Sequence, residues 1–504
     1  GDLNEVHRME TFDMDATNGF LDSKWYHLYC SVQRCNSALR VLNAATDEQV
    51  NGRVSRIAEM KVLRAHYYFE LSRLFNKIPY FDENVEISQY PDIPNNEFTR
   101  DEILSMLAKE MLDAAEQLPA SQPEVGRIHK YIALAYAAKI KLYQAYQQDE
   151  ITHAVTSINK ELLREVVSLC DQVTASNRYG LLDDFQGLDL VANENGKESV
   201  FAIQYSMNDG TESAGRINWS NLLNSPGGGS PYGGDGFFLP SQDLINAYQT
   251  DANGLPDFNY QSKSDYSWAV LNNGVYTLQN TTPNVDPRLD FVVGRPTITW
   301  KTYPDKPCEG WVRDKETYGY NCAKRFWVSP ESSDMFNGWP WGASQLNWQI
   351  IRYADILLWK AEALIELNEG NGLETARDLI NQIRNRARNS AYVKDFNDHS
   401  KYAANYLVNP YPADVWNQDY ARQALRWETR LEKALEGERF FDLVRWGIVE
   451  TTMNKYITAE SDNRIYYANA HFTGGKDEYY PVPNNQYGFS GGKYVQNPGY
   501  APFN

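Results

Sequence analysis

Apolar residues recur every three or four positions along both ends of the chain, the spacing that puts them on one face of a helix. Residues 23–44 place Trp25, Leu28, Val32 and Leu39 on one such stripe. Met60, Leu63, Tyr67, Leu71 and Leu74 continue the pattern and stop before Pro79, predicting a long amphipathic helix. Thr99 stands as the N-cap of a third helix, with Glu102 completing a capping box. Residues 126–147 set Ala133, Ala135, Ala137 and Ala138 where close helix packing needs small side chains, and 157–174 give one more helix. Near the other end, Ala354, Leu357, Leu358, Ala361, Leu364 and Ile365 form a stripe, and Gly370 and Gly372 mark a turn. Leu373, Ala376, Ile380, Ile383 and Ala387 make the partner stripe. Alanine-rich helix–turn–helix units of this size resemble tetratricopeptide repeats.

The middle reads differently. Residues 180–348 are rich in Gly, Asn, Pro and aromatics, and SPGGGSPYGGDGFFLP has no core-forming pattern. SVFAIQY and GVYTLQ read as strands, PSQDLINAYQ as a short helix and TDANGLPDF as a turn. The predicted fold is mainly α: tetratricopeptide-like helix pairs packed with an irregular, loop-rich segment carrying a few short strands. Its regions are a helical 1–180, an aromatic-rich ligand-binding insertion 181–348 and a helical 349–504 with a closing tail, integrated as one globular unit.

Charge enters most tellingly at Glu428–Gly447. Leu431, Ala434 and Leu435 form an apolar stripe, and Gly437 interrupts it as a stop or kink. Arg439, Asp442 and Arg445 stand three apart and can stack as alternating charges, with Glu436 in reach of Arg439. Phe440, Phe441 and Trp446 would bury part of that ladder. As a structural corner it needs no ligand.

The ordering E-x-R-x-E-x-A-x-E-G-x-R-F-F-D-L-x-R-W-G resembles the signature of the SusD/RagB family. Three more blocks in the family's order support the resemblance. Glu59 to Pro79 matches its A-E-x-x-F-L-R-A-x-Y-Y-F-x-L-x-R-L-F-G-x-x-P element, with Asn76 in place of the usual glycine. Asp286, Pro287, Arg288 and Leu289 match D-P-R-L, and Pro481, Pro483 and Gln496–Tyr500 match the closing P-I-P … Q-N-P-G-Y. The resemblance implies a nutrient-binding lipoprotein on the bacterial outer-membrane surface, capturing oligosaccharide or polysaccharide and delivering it to a SusC-like TonB-dependent transporter. It also implies a signal and a lipidated cysteine preceding this chain, hence an N-terminal lipid anchor absent from it. Peptide capture, as in the RagB branch, is the runner-up, and a glycoside hydrolase or a helical-repeat scaffold would be readings of other classes.

Composition narrows the chemistry. A formal charge of −18 with no basic block argues against nucleic acid. No apolar run reaches the length of a membrane span. Paired carboxylates for glycoside hydrolysis are not singled out, and G-x-S-x-G and H-E-x-x-H are absent. Neither a cofactor nor a metal site is expected: there is no C-x-x-C pair, and DMDATNG at 13–19 departs from a calcium loop in its glycine and its missing twelfth-position Glu. Five cysteines leave at least one unpaired, while Cys308 and Cys322 bracket a loop and could bridge in an oxidising compartment.

The site signal is aromatic. Seven of the 13 Trp fall between Trp268 and Trp348, under a fifth of the chain. Sugar rings present apolar C–H faces that stack on indole. The expected stacking residues are Trp339 and Trp341, joined by a backbone-fixing proline, then Trp311 and Trp300. His7 and Asp15 are weaker polar candidates from the N-terminal loop. Trp25, Trp359 and Trp446 lie on helix patterns and read as core.

Overall fold

The computed structural model describes residues 3–211, 215–219, 221–301 and 307–503. It divides into two compact units. The first comprises residues 1–176, 440–457 and 466–504, the second residues 177–439 and 458–465.

In the first unit the helices close on one another, although the helix Arg53–Phe75 buries Ala58, Val62, Ala65, Phe69 and Ser72 rather than the expected stripe, of which Leu71 alone is buried. Helices α1 (Gly19–Ala44), α2 (Arg53–Phe75), α3 (Arg100–Gln117), α4 (Lys130–Ala145) and α5 (Lys160–Ala175) pack in succession, each on the next. Trp25, Leu28, Val32 and Leu39 are buried, and the alanines of α4 are almost wholly enclosed. Thr99 and Glu102 form the capping box. Asn76 ends α2 at φ +57°, a conformation Asn tolerates better than most residues, so it serves in the glycine's place. The closing tail clamps this helix end: the Asn497 amide donates to the carbonyls of Phe75 and Tyr480, both at 2.7 Å. Part of the signature segment docks here too. Arg73 lies 4.2 Å over the Phe441 ring, and Arg445 pairs with Asp442 at 2.9 Å.

The second unit pairs β1 (Ser199–Ile203) antiparallel with β2 (Trp348–Arg352), which runs into α6 (Tyr353–Leu367). Helices α7 (Gly372–Asn389) and α8 (Gln418–Glu432) pack against α6 and each other. A buried ion network runs through this unit and joins the sequence blocks. Arg288 of the D-P-R-L block meets Asp286, Glu428 and Glu432 at 2.7, 2.6 and 3.1 Å. Glu428 also takes Arg384, and Glu432 takes Arg352 and Arg386. Glu198 bridges Arg352 and Arg386. Glu436, expected beside Arg439, is held instead by Arg352, Arg325 and Lys433. The local ladder loses this carboxylate because cations from distant segments surround it more completely. Lys433 adds Asp355, and Arg325 shares Asp189 with Lys301. Seven cations thus face seven carboxylates in one connected set.

Candidate functional site

The W-P-W segment sits at the tip of a short hairpin in the second unit. Met335 and Ser344 form an antiparallel bridge, and the Phe336 N–H donates to the Ala343 carbonyl at 2.9 Å. With the base fixed, the tip projects: Trp339 is 59% and Trp341 48% exposed. A third ring joins them. Trp219, 41% exposed, meets Trp339 edge-on with centroids 4.9 Å apart. Leaving three indoles open to water forfeits their burial energy, which marks the patch as a surface for something else.

The glycine-rich loop explains how the hairpin is seated. Ser225 is fully buried and its hydroxyl faces the Trp341 carbonyl at 3.4 Å. A Cβ at Gly342 would lie 2.4 Å from the Ser225 Cβ, and one at Gly234 would strike the Ser225 hydroxyl. Only glycine permits this approach. The same loop carries Tyr232 inward, into a satellite cluster with Trp300, Trp311, Val312, Cys308, Cys322 and Trp327. Trp300 is completely enclosed and Trp311 nearly so, packed edge-to-face at 5.1 Å. The Trp300 indole N–H donates to the Tyr232 hydroxyl (2.8 Å), which donates to the Val328 carbonyl (2.7 Å). Both rings therefore sit inside the cluster, with no face presented as the stacking expectation required. Their loop is covered, whereas the 339–341 loop is not.

Cys308 and Cys322 stand side by side in this cluster as free thiols, sulfurs 3.7 Å apart. Glu194 lies at the hairpin's foot and accepts the Asn347 N–H at 2.6 Å, and burial pushes its carboxyl up to about 7.

His7 and Asp15 belong to the first unit. His7 makes an edge contact with Tyr466, and Asp15 pairs with Arg8 at 2.7 Å. The Thr17 hydroxyl and Arg8 hold the Asp15 carboxyl down at about 2. Both candidates are thus tied to protein neighbours. Among the described residues no group of three His, Cys, Asp or Glu is disposed to hold a metal. Sequence reasoning missed Trp219, which lies outside the Trp-rich window. Its flanks, Asn218 and Ser220, were the available sign of a loop ring.

The SusD family model matches residues 197–500, and a model described as starch-binding associating with outer membrane matches 3–142. A SusD-like protein P2 from Formosa agariphila is 24% identical over 499 residues, covering 98% of this chain and 83% of its own. A SusD superfamily protein from Bacteroides vulgatus shares the fold at a TM-score of 0.72 and 21% identity, over 99% of this chain and 90% of the other. Surface glycan-binding protein A from Bacteroides thetaiotaomicron, solved in complex with laminarihexaose, gives 0.65 at 18% identity, over 99% and 90%. The D-P-R-L and E-x-R-x-E blocks that first suggested kinship meet in one buried ion network, and the chain belongs to the SusD family.

Proposed function

We propose that this chain captures oligosaccharides at the bacterial outer-membrane surface and hands them, uncleaved, to a SusC-like TonB-dependent transporter. The observation that carries the binding step is the patch of Trp219, Trp339 and Trp341, half-exposed on a seated hairpin and its neighbour loop. Indole faces suit the C–H faces of sugar rings, and rigid placement lowers the ordering cost of binding. A relative of the same fold holds laminarihexaose, which supports the ligand class. Delivery, surface display and a lipid anchor rest on the family resemblance. Peptide capture would call for a polar groove without exposed Trp, and three such rings favour glycan.

A glycan array probed with the purified chain tests this reading. Binding to a set of related oligosaccharides, with no reducing ends released from them, is the expected result. Binding to peptides alone, or release of reducing ends in proportion to protein concentration, would overturn it.

A further inference from the structure

A cleft of about 710 Å³ opens in the second unit between segments 182–197 and 328–334. It adjoins the foot of the Trp hairpin: Asp334, on its wall, accepts a hydrogen bond from the Gln345 amide at 2.7 Å. The volume suits a small ligand rather than a structural void.

Its lining includes four cations, Lys197, Lys301, Lys324 and Arg325. Asp189 binds Lys301 at 2.9 Å and Arg325 at 3.0 Å, and both belong to the balanced network described above. Lys324 does not. It is buried, and among the described residues its ammonium donates to the backbone carbonyls of Asp290 (2.6 Å) and Thr299 (3.0 Å) alone. The Asp290 carboxylate is taken by Arg295, through two contacts of 2.8 Å. Among the described residues Lys324 therefore has no carboxylate of its own, sharing the field of Asp290 with Arg295, beside a ligand-sized space. Burial pulls its pKa down to about 8, so it is mostly charged at neutral pH. A buried cation without a counter-charge is costly, and an anion supplied from outside would relieve that cost.

The wall acids do not supply it. Asp183 is spent on Lys197, Asp184 accepts the N–H groups of Gln186 and Ala391, and Asp334 accepts the Ser332 hydroxyl and the Gln345 amide. Glu331 stands exposed at the rim.

We propose that this cleft takes the anionic substituent of an acidic saccharide, a uronate carboxylate or a sulfate ester, with Lys324 supplying the positive charge. The proposal rests on the glycan-binding reading and adds the ligand's chemical class. A neutral sugar on the Trp patch would leave Lys324 unanswered, whereas an acidic one extending into the cleft answers it. The chain's overall charge of −18 repels anions from afar, but exposed charges are screened beyond about 8 Å at physiological salt, so attraction is local.

The test is calorimetry with uronate and sulfate oligosaccharides against their methyl-esterified or desulfated counterparts, with neutral laminarihexaose alongside. At least one acidic sugar is expected to bind roughly tenfold tighter than its neutralised form, the ratio that one well-placed charge contact provides. Lys324→Met should abolish that difference while the variant keeps its affinity for the neutralised sugars, since the ammonium that meets the anion is what it removes. Glu331→Lys, on the exposed rim, should tighten acidic sugars alone, and Ser329→Trp should block them by filling the cleft. Equal affinity for acidic and neutralised sugars, or an undiminished difference in Lys324→Met, overturns the cleft proposal while leaving glycan capture standing. Failure of every acidic and neutral sugar to bind overturns both.

Discussion

At the residue scale the two tiers of tryptophan do opposite work. Trp339 and Trp341 are half-exposed in the free protein, so replacing either with Ala should lower the melting temperature far less than loss of a core ring. Trp300 is wholly enclosed, and Trp300→Ala should cost about 3–5 kcal/mol of stability, the usual loss for a large core ring. Thermal denaturation of the variants checks both, and a Trp300→Ala protein that melts like the parent would show the cluster to be dispensable. Sequence could not separate the tiers. A Trp among Gly, Pro and Asn looks the same whether its loop is later covered or left open. What covers Trp300 is the 225–236 loop, folded inward through Gly234 and Gly342. The cleft was equally hidden, because the isolation of Lys324 depends on Arg295 having claimed Asp290.

Individual carboxyls also set a pH profile. Burial disfavours ionisation of Glu432, yet Arg386, Arg352 and Arg288 hold its carboxyl at about 2, below the ordinary 4.5. That stability is present above pH 4.5 and is lost as pH falls toward 2. Glu194 and Glu460 shift the other way, pushed by burial to about 7. Their contribution is complete below pH 4.5 and is lost as pH rises through 7. The melting temperature should therefore peak on the acid side of neutrality and decline in both directions. A profile flat from about pH 5 to 8 would contradict these shifts.

Among the elements, the helices were legible from apolar spacing, down to the Thr99–Glu102 box. The charged segment was legible only in part. Its Asp442–Arg445 rung forms as spacing suggests, but Glu436 answers cations from distant parts of the chain. Spacing reports neighbours on one helix, and burying a carboxylate demands whichever cations the fold can gather around it. Glu428 and Glu432, one turn apart on α8, are the hub of that gathering. Removing one should strand several buried arginines: Glu432→Ala is expected to cost about 3–5 kcal/mol, the range for breaking a buried ion pair from one side. Chemical denaturation would measure it, and a loss below about 1 kcal/mol, typical of exposed pairs, would mean the network is effectively solvated.

For the molecule as a whole, the ordered motif blocks carried the family and fold, while the exposed Trp surface depends on loops whose seating is tertiary. In the proposed function a hairpin seated by glycines holds two open indoles for a saccharide. Calorimetric titration of the strongest array ligand into the parent, Trp341→Ala and Trp359→Ala proteins tests it most directly. Trp359 is buried on α6. Trp341→Ala is expected to lose about 1–3 kcal/mol of affinity at nearly unchanged stability, as for an aromatic anchor, while Trp359→Ala loses stability and keeps its affinity. Normal affinity in a folded Trp341→Ala protein, or unfolding of that variant, would contradict it.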